Sequence, residues 1–91
     1  MKKRAHLLIS GKVKGVGYRV FVSEVALSHD LTGFVIDAPD SKIEVVFEGD
    51  KKSIDAAIKK CFEGIPSTVI KSFHIEWEDN IEYYKTFMIR Y

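Results

Sequence analysis

The residues best suited to chemistry in this 91-residue chain lie in one short stretch, GKVKGVGYR, at residues 11–19. Glycine permits backbone conformations in which successive N–H groups face one concavity, and the start of a helix adds partial positive charge there. The planar guanidinium of Arg19, at the end of the stretch, can contact two oxygens of one phosphate group. From these residues alone the stretch is either a phosphate-binding loop or a plain strand-to-helix turn that needs its glycines only to turn. Its glycines and lysines are Gly11, Gly15, Gly17, Lys12 and Lys14.

Two better-known loops do not fit this stretch. A Walker A loop requires GxxxxGK followed by Ser or Thr, and that ending is missing. The segment KGVGYRVF at residues 14–21 approaches a signature of RNA-recognition domains, but Val16 replaces one of its aromatics. That signature also lies on the third strand of its fold, where aromatic side chains stack on bases. Here the segment follows the first strand, so the RNA-binding interpretation is rejected on position.

The elements that must position this loop follow from the spacing of apolar residues. Helical spacing predicts one helix from Tyr18 to about Asp30 and a second that begins after Asp50 and stops at Gly64 and Pro66. Short or alternating apolar runs predict five strands, over residues 4–10, 33–37, 42–49, 69–77 and 83–91. The second and third strands form a hairpin, and EDNI, residues 78–81, supplies the last turn.

The order of these elements is βαββαβ with one further strand. It predicts an α+β, two-layer ferredoxin-like sandwich, with both helices on one face of a mixed, mostly antiparallel sheet. Residues 1–91 form one domain, because the chain is too short for a second. This fold hosts many unrelated functions, so function must be argued from the site.

Composition excludes several classes of protein. Fourteen basic and thirteen acidic residues give a net charge of +1, which argues against a dedicated nucleic-acid or membrane-surface protein. The single cysteine, Cys61, excludes an internal disulfide and predicts an inert core residue in a cytoplasmic protein. His6, His29 and His74 lack metal-ligand spacing, so no metal is expected. A monomer is the default expectation.

The loop resembles the phosphate-binding loop of acylphosphatases, whose pattern is close to G-x-V-Q-G-V-x-(F/Y)-R after the first strand. The similarity extends over nearly the whole chain, and its further marks occur in the family's order. They are GFV at residues 33–35, FEG at 47–49, EGIPSTV at 63–69 and FMIRY at 87–91. The chain is thus identified as a member of the acylphosphatase family.

The resemblance implies that Arg19 grips the phosphate of a substrate. The backbone N–H groups around it belong to Lys14, Gly15, Val16, Gly17 and Tyr18. The implied reaction is hydrolysis of an acyl phosphate to a carboxylate and inorganic phosphate, so the expected partners are a small acyl phosphate or inorganic phosphate. A carboxylate leaves readily, so holding and neutralising the phosphoryl group suffices, and the resemblance implies no metal or other cofactor.

One position departs from the family pattern. An asparagine 18 residues after the arginine places the attacking water in the family, and here that position is Asp37. An ionised aspartate only accepts hydrogen bonds, whereas asparagine also donates. Two like charges about 4 Å apart repel by on the order of 4 kcal/mol at an effective dielectric near 20, roughly a several-hundredfold loss of rate. The only asparagine, Asn80, lies in the distant turn between the last two strands.

Three interpretations of Asp37 remain open from sequence. It is a damaged catalytic position, a weaker water-orienting group or base, or an ion-pair partner of Arg19 that closes the site. The predicted function is accordingly an acylphosphatase of reduced activity. The alternative is a non-catalytic acylphosphatase-like domain that binds a phosphate-bearing metabolite or a protein partner.

Overall fold

The chain alternates strands and helices in the predicted order, βαββαβ followed by one more strand. The computed structural model describes residues 2–13, 16–66, 68–79 and 83–91. The elements are β1 (Lys2–Lys12), α1 (Val16–Ser28), β2 (Thr32–Ala38), β3 (Lys42–Asp50), α2 (Lys51–Glu63), β4 (Val69–Asp79) and β5 (Phe87–Arg90). The predicted strands and helices are therefore all present, with differences at their ends.

The five strands form one sheet in the order β4-β1-β3-β2-β5. β1 pairs antiparallel with β3 and with β4, and β2 pairs antiparallel with β3. β5 alone runs parallel to its neighbour, with Ile36 of β2 opposite Arg90 of β5. The sheet is thus mixed and mostly antiparallel, as predicted. The parallel pairing brings the end of the chain beside Asp37, the residue after Ile36.

Both helices cover one face of this sheet. α1 packs against β2 and β5, whereas α2 packs against β1, β3 and β4. The alternation predicted for the third strand is confirmed, because Ile43, Val45 and Phe47 are fully buried on the helix side. Burial of each such side chain stabilises the fold by about 1.5–3 kcal/mol. Each helix has one apolar side, and the sheet has one apolar face. Packing both helices on that face buries these apolar surfaces against one another.

Helix α1 begins at Val16, two residues before the predicted start at Tyr18. Gly17 therefore lies in the first helical turn, although glycine weakens a helix interior by about 1 kcal/mol relative to alanine. The buried Tyr18 side chain anchors this turn to the core. Tertiary packing thus outweighs the local preference of the glycine.

Gly11 uses its conformational freedom inside β1. It lies at a register shift between β1 and β4, with φ of +140°, a value that side chains rarely allow. A Cβ at this position would lie 2.1 Å from the carbonyl oxygen of Val69. Gly11 is therefore required by the pairing of β1 with β4.

The last strand is shorter than predicted. β5 covers only Phe87–Arg90, so Tyr83 and Lys85, predicted to alternate within it, precede it. The backbone N–H of Tyr83 instead donates to the Glu48 carboxylate, and so does the N–H of Tyr84. Donors used in this way cannot join a strand ladder. Of the predicted turn at 78–81, residues 78 and 79 belong to β4, and the remainder lies outside the described residues.

Candidate functional site

Arg19 is a buried cation in the first turn of α1. The residue is only 7% exposed, which is unusual for an arginine. It lies where α1 faces the ends of β2 and β5, close to the start of the helix. The first N–H groups of a helix have no partner within it, and they concentrate partial positive charge there. A charged side chain and a helix end thus create positive potential in one place.

In the part of the chain that the structure describes, the guanidinium of Arg19 contacts Arg90, Tyr91 and Asp37. Its Nη1 donates a 3.4 Å hydrogen bond to the backbone carbonyl of Arg90. Its Cζ lies 4.9 Å from the ring centroid of Tyr91, within cation–π distance. Its Nε lies 3.7 Å from Oδ1 of Asp37. Arg19 and Asp37, predicted as site residues 18 positions apart, are therefore neighbours in space.

The contact between Arg19 and Asp37 is an ion pair without a hydrogen bond. A donor–acceptor distance of 3.7 Å is too long for one. Among the described residues, Nε of Arg19 has no hydrogen-bond partner, although the atom is buried. Burying such a donor without an acceptor costs free energy, and an acceptor that reached Nε would offset that cost.

The predicted loop residues fall into two groups. Gly17 and Tyr18 lie in the first turn of α1 beside Arg19. The backbone of Val16 opens the same helix. Lys14 and Gly15 lie outside the described residues, so the loop's approach to the helix stays a prediction. The structure thus brings together the start of α1, Arg19 and Asp37.

The Tyr18 side chain faces the core, so only its backbone is available to the candidate site. The ring is fully buried, and its hydroxyl donates a 2.8 Å hydrogen bond to the carbonyl of Cys61 in α2. Burial raises the pKa of the Tyr18 hydroxyl well above its ordinary value. Of the stretch aligned with the RNA-recognition signature, the described residues 16–21 are therefore helical, with Tyr18 inside the fold rather than on an open sheet face.

Arg90 and Tyr91 contact Arg19, but they were not predicted as site residues. The sequence contained a signal for them, since FMIRY at residues 87–91 was one of the family's marks. Nothing in the sequence indicated that β5 pairs in parallel with β2, and this pairing places Arg90 and Tyr91 beside α1. The hydrogen bond from Arg19 to Arg90 joins residues 71 positions apart, and local patterns carry no such information.

Three other side chains that could react have contacts or burial of their own. Cys61 is fully buried in α2, and burial raises the pKa of its thiol to about 12. His6 and His74 lie on β1 and β4, where each contacts a glutamate, Glu44 and Glu76 respectively. Within the described ranges, no group of three or more His, Cys, Asp or Glu residues is arranged to hold a metal ion.

The sequence and the fold both match one family. The sequence model of the Acylphosphatase family matches residues 5–89, which include parts of all seven elements. The chain belongs to the acylphosphatase family. An acylphosphatase of Pelotomaculum thermopropionicum is 32% identical over 90 residues, covering 99% of this chain and 98% of that protein.

Solved acylphosphatases share the fold of this family member. The crystal structure of the acylphosphatase from Bacillus subtilis has a TM-score of 0.93 and 25% identity, covering 98% of this chain and 99% of that one. The structure of an acylphosphatase from Coxiella burnetii has a TM-score of 0.88 and 31% identity, covering 98% and 93%. The predicted ferredoxin-like sandwich is thereby confirmed. In the described part of this acylphosphatase-family chain, neither helix has the length and apolar character to cross a membrane.

Proposed function

We propose that this chain hydrolyses the carboxyl–phosphate anhydride of small acyl phosphates, and that Asp37 slows the reaction. One observation carries the proposal. The guanidinium of Arg19 is buried in the first turn of α1, and its Nε has no hydrogen-bond partner among the described residues. A phosphoryl oxygen would supply the missing acceptor, and the helix start would stabilise the same negative charge.

The reaction needs little chemistry from the protein beyond this. Water attacks phosphorus, the bond from phosphorus to the bridging oxygen breaks, and that oxygen leaves as a carboxylate. Carboxylates are weak bases, so no strong general acid is required. The protein must hold the phosphoryl group, neutralise its oxygens and orient the water. Arg19 and the N–H groups at the start of α1 are suited to the first two tasks.

Asp37 lies where it can influence the third task. Its Oδ1 is 3.7 Å from Nε of Arg19, so its charge faces any anion that Arg19 binds. The repulsion is screened, because the Asp37 side chain is 38% exposed. An aspartate here therefore weakens phosphate binding and slows attack without removing either, which corresponds to an acylphosphatase of reduced activity.

The same contact favours a second candidate function. The Asp37 carboxylate is itself an anion beside Arg19, and it competes with phosphate for that guanidinium. A site in which phosphate displaces this pair, but Asp37 does not orient a water for attack, would bind a phosphate-bearing metabolite, or a partner protein that carries a phosphate, without turning it over. This is the non-catalytic acylphosphatase-like domain.

Three proteins separate the two candidates: the wild type, Asp37→Asn and Arg19→Ala. We expect the wild type to hydrolyse benzoyl phosphate and Asp37→Asn to do so at least about tenfold faster, since an adjacent negative charge is removed. We expect Arg19→Ala to lose both the hydrolysis of benzoyl phosphate and the binding of inorganic phosphate. Hydrolysis by neither the wild type nor Asp37→Asn, with phosphate binding retained in both, would favour the second candidate.

Asp40→Asn is the matched control for the removal of charge. Asp40 lies in the turn between β2 and β3, three positions from Asp37, and is exposed. Its φ of +63° is one that asparagine also adopts readily. The control should behave like the wild type. No gain in Asp37→Asn would contradict the role given to Asp37, and no phosphate binding by the wild type would contradict the site itself.

A further inference from the structure

Glu48 is a buried carboxylate that the proposed reaction does not use. It lies on β3 on the sheet face opposite the helices, yet only 3% of the residue is exposed. Its Oε2 receives the guanidinium of Arg4 from β1, at 2.6 Å from Nη2 and 2.8 Å from Nε. Burying a carboxylate costs free energy unless it is paired and hydrogen-bonded. The groups that pair with Glu48 offset this cost, and Glu48 in turn holds those groups in place.

The other oxygen of Glu48 holds the segment that leads into β5. Its Oε1 accepts the backbone N–H groups of Tyr83 and Tyr84 at 2.9 and 2.8 Å. The Tyr84 ring then packs edge-on against Phe34 of β2, with the centroids 5.6 Å apart. Hydrogen bonds from backbone donors to a carboxylate are among the stronger ones in proteins. Glu48 therefore fixes residues 83 and 84 over this face of the sheet.

The same aromatic pair contacts Arg90, whose backbone contacts Arg19. The Cζ of Arg90 lies 4.2 Å from the Phe34 centroid and 5.9 Å from the Tyr84 centroid. The carbonyl of Arg90 accepts the hydrogen bond from Nη1 of Arg19. A continuous set of contacts therefore runs from Glu48 through Tyr84 and Arg90 to the guanidinium at the candidate site.

We propose that Glu48 is a positioning residue for Arg19. By fixing Tyr84, it fixes the Arg90 side chain and the carbonyl that orients the Arg19 guanidinium toward a phosphoryl group. This inference rests on the proposed function, because it takes Arg19 as the phosphate ligand. It predicts that a change at Glu48, on the opposite face of the sheet, weakens binding of phosphate at the start of α1.

The test measures the affinity for inorganic phosphate in Glu48→Ala and Glu48→Gln by NMR titration, with the Arg19 Nε–H signal as a second readout. Loss of both acceptor oxygens in Glu48→Ala should weaken phosphate binding about threefold to tenfold, a usual range for residues coupled through contacts. It should also shift the Arg19 Nε–H signal in the phosphate-free protein. Glu48→Gln keeps a carbonyl oxygen for the two N–H groups, so it should restore most of the affinity.

Glu44→Ala is the matched control. Glu44 lies on the same face of β3, and its Oε2 is 2.5 Å from Nε2 of His6 on β1. Its carboxylate contacts His6, whereas the carboxylate of Glu48 holds residues 83 and 84. This variant also loses a carboxylate that contacts β1, but it should bind phosphate like the wild type and leave the Arg19 signal in place.

The outcomes separate this inference from the proposed function. Wild-type protein that binds no phosphate would overturn both. Wild-type protein that binds phosphate, together with Glu48→Ala of equal affinity and unchanged Arg19 signal, would overturn the positioning role alone, even if that variant unfolds more easily. If Glu48→Ala does not fold, Arg4→Met replaces it, because that variant removes the guanidinium that holds Oε2 of Glu48. We then expect an affinity for phosphate about twofold or more weaker than that of the wild type, and an unchanged affinity would overturn the inference.

Discussion

The hydroxyl of Tyr18 donates a 2.8 Å hydrogen bond to the backbone carbonyl of Cys61, and this bond joins the two helices. Tyr18 lies in the first turn of α1, and Cys61 lies near the end of α2. The tyrosine immediately precedes Arg19, so the buried ring fixes the turn from which the arginine extends. Packing between the helices is thereby linked to the geometry of the candidate site.

Tyr18→Phe should destabilise the folded protein. The change leaves the Cys61 carbonyl buried without its donor, which lowers the free energy of unfolding by about 1–3 kcal/mol. Urea unfolding measures this loss. Tyr83→Phe is the control, because the Tyr83 side chain is exposed and should give no measurable change. Equal stability of Tyr18→Phe and the wild type would contradict the anchoring role.

Substitution of two glycines in the same stretch should have opposite effects. Gly11→Ala places a Cβ 2.1 Å from the Val69 carbonyl oxygen at a φ of +140°, and should cost about 3 kcal/mol or more. Gly17→Ala places a Cβ 3.7 Å from Cδ1 of Ile65 in a helical turn, and should be neutral or stabilise by up to about 1 kcal/mol. Thermal unfolding of both variants provides the comparison. Similar effects on stability would contradict the different roles given to these glycines.

The sequence predicted the elements well because their signals are local. The alternation of Ile43, Val45 and Phe47 and the helical spacing in α2 each lie within about a dozen residues. The start of α1 was predicted less accurately, because glycine disfavours a helix and Gly17 was placed before it. The burial of Tyr18 stabilises the turn that contains this glycine.

The composition of the candidate site was only partly predictable. Arg19 and Asp37 were proposed from their positions in a motif, and the structure places Arg19 Nε 3.7 Å from Asp37 Oδ1. The contact of Tyr91 with Arg19 depends on a parallel pairing between strands that are distant in sequence. Glu48 has the local pattern of a polar residue in an alternating strand, and its burial depends on Arg4 and residues 83–84, which are distant in sequence.

Inorganic phosphate should stabilise the folded protein through Arg19. A ligand that binds only the folded state, at about 100 times its Kd, raises the free energy of unfolding by about 2.7 kcal/mol. For a domain of this size, each 1 kcal/mol corresponds to roughly 4–8 °C in Tm. Thermal scans with increasing phosphate should show the rise, and sodium chloride at equal ionic strength should not. Arg19→Ala should not respond to phosphate, and an equal rise in that variant would place the binding elsewhere.

Cys61 should make the protein less stable at alkaline pH. Burial raises the pKa of its thiol from 9.0 to about 12, so the folded state holds its proton where the unfolded state releases it. The stabilisation is fully present below about pH 9 and is lost as pH rises toward 12, amounting to about 1.4 kcal/mol between roughly pH 8 and 10. Urea unfolding at these pH values measures the loss. Cys61→Ala, though less stable throughout, should lack this part of the pH dependence, and an identical dependence in both proteins would show that another group causes it.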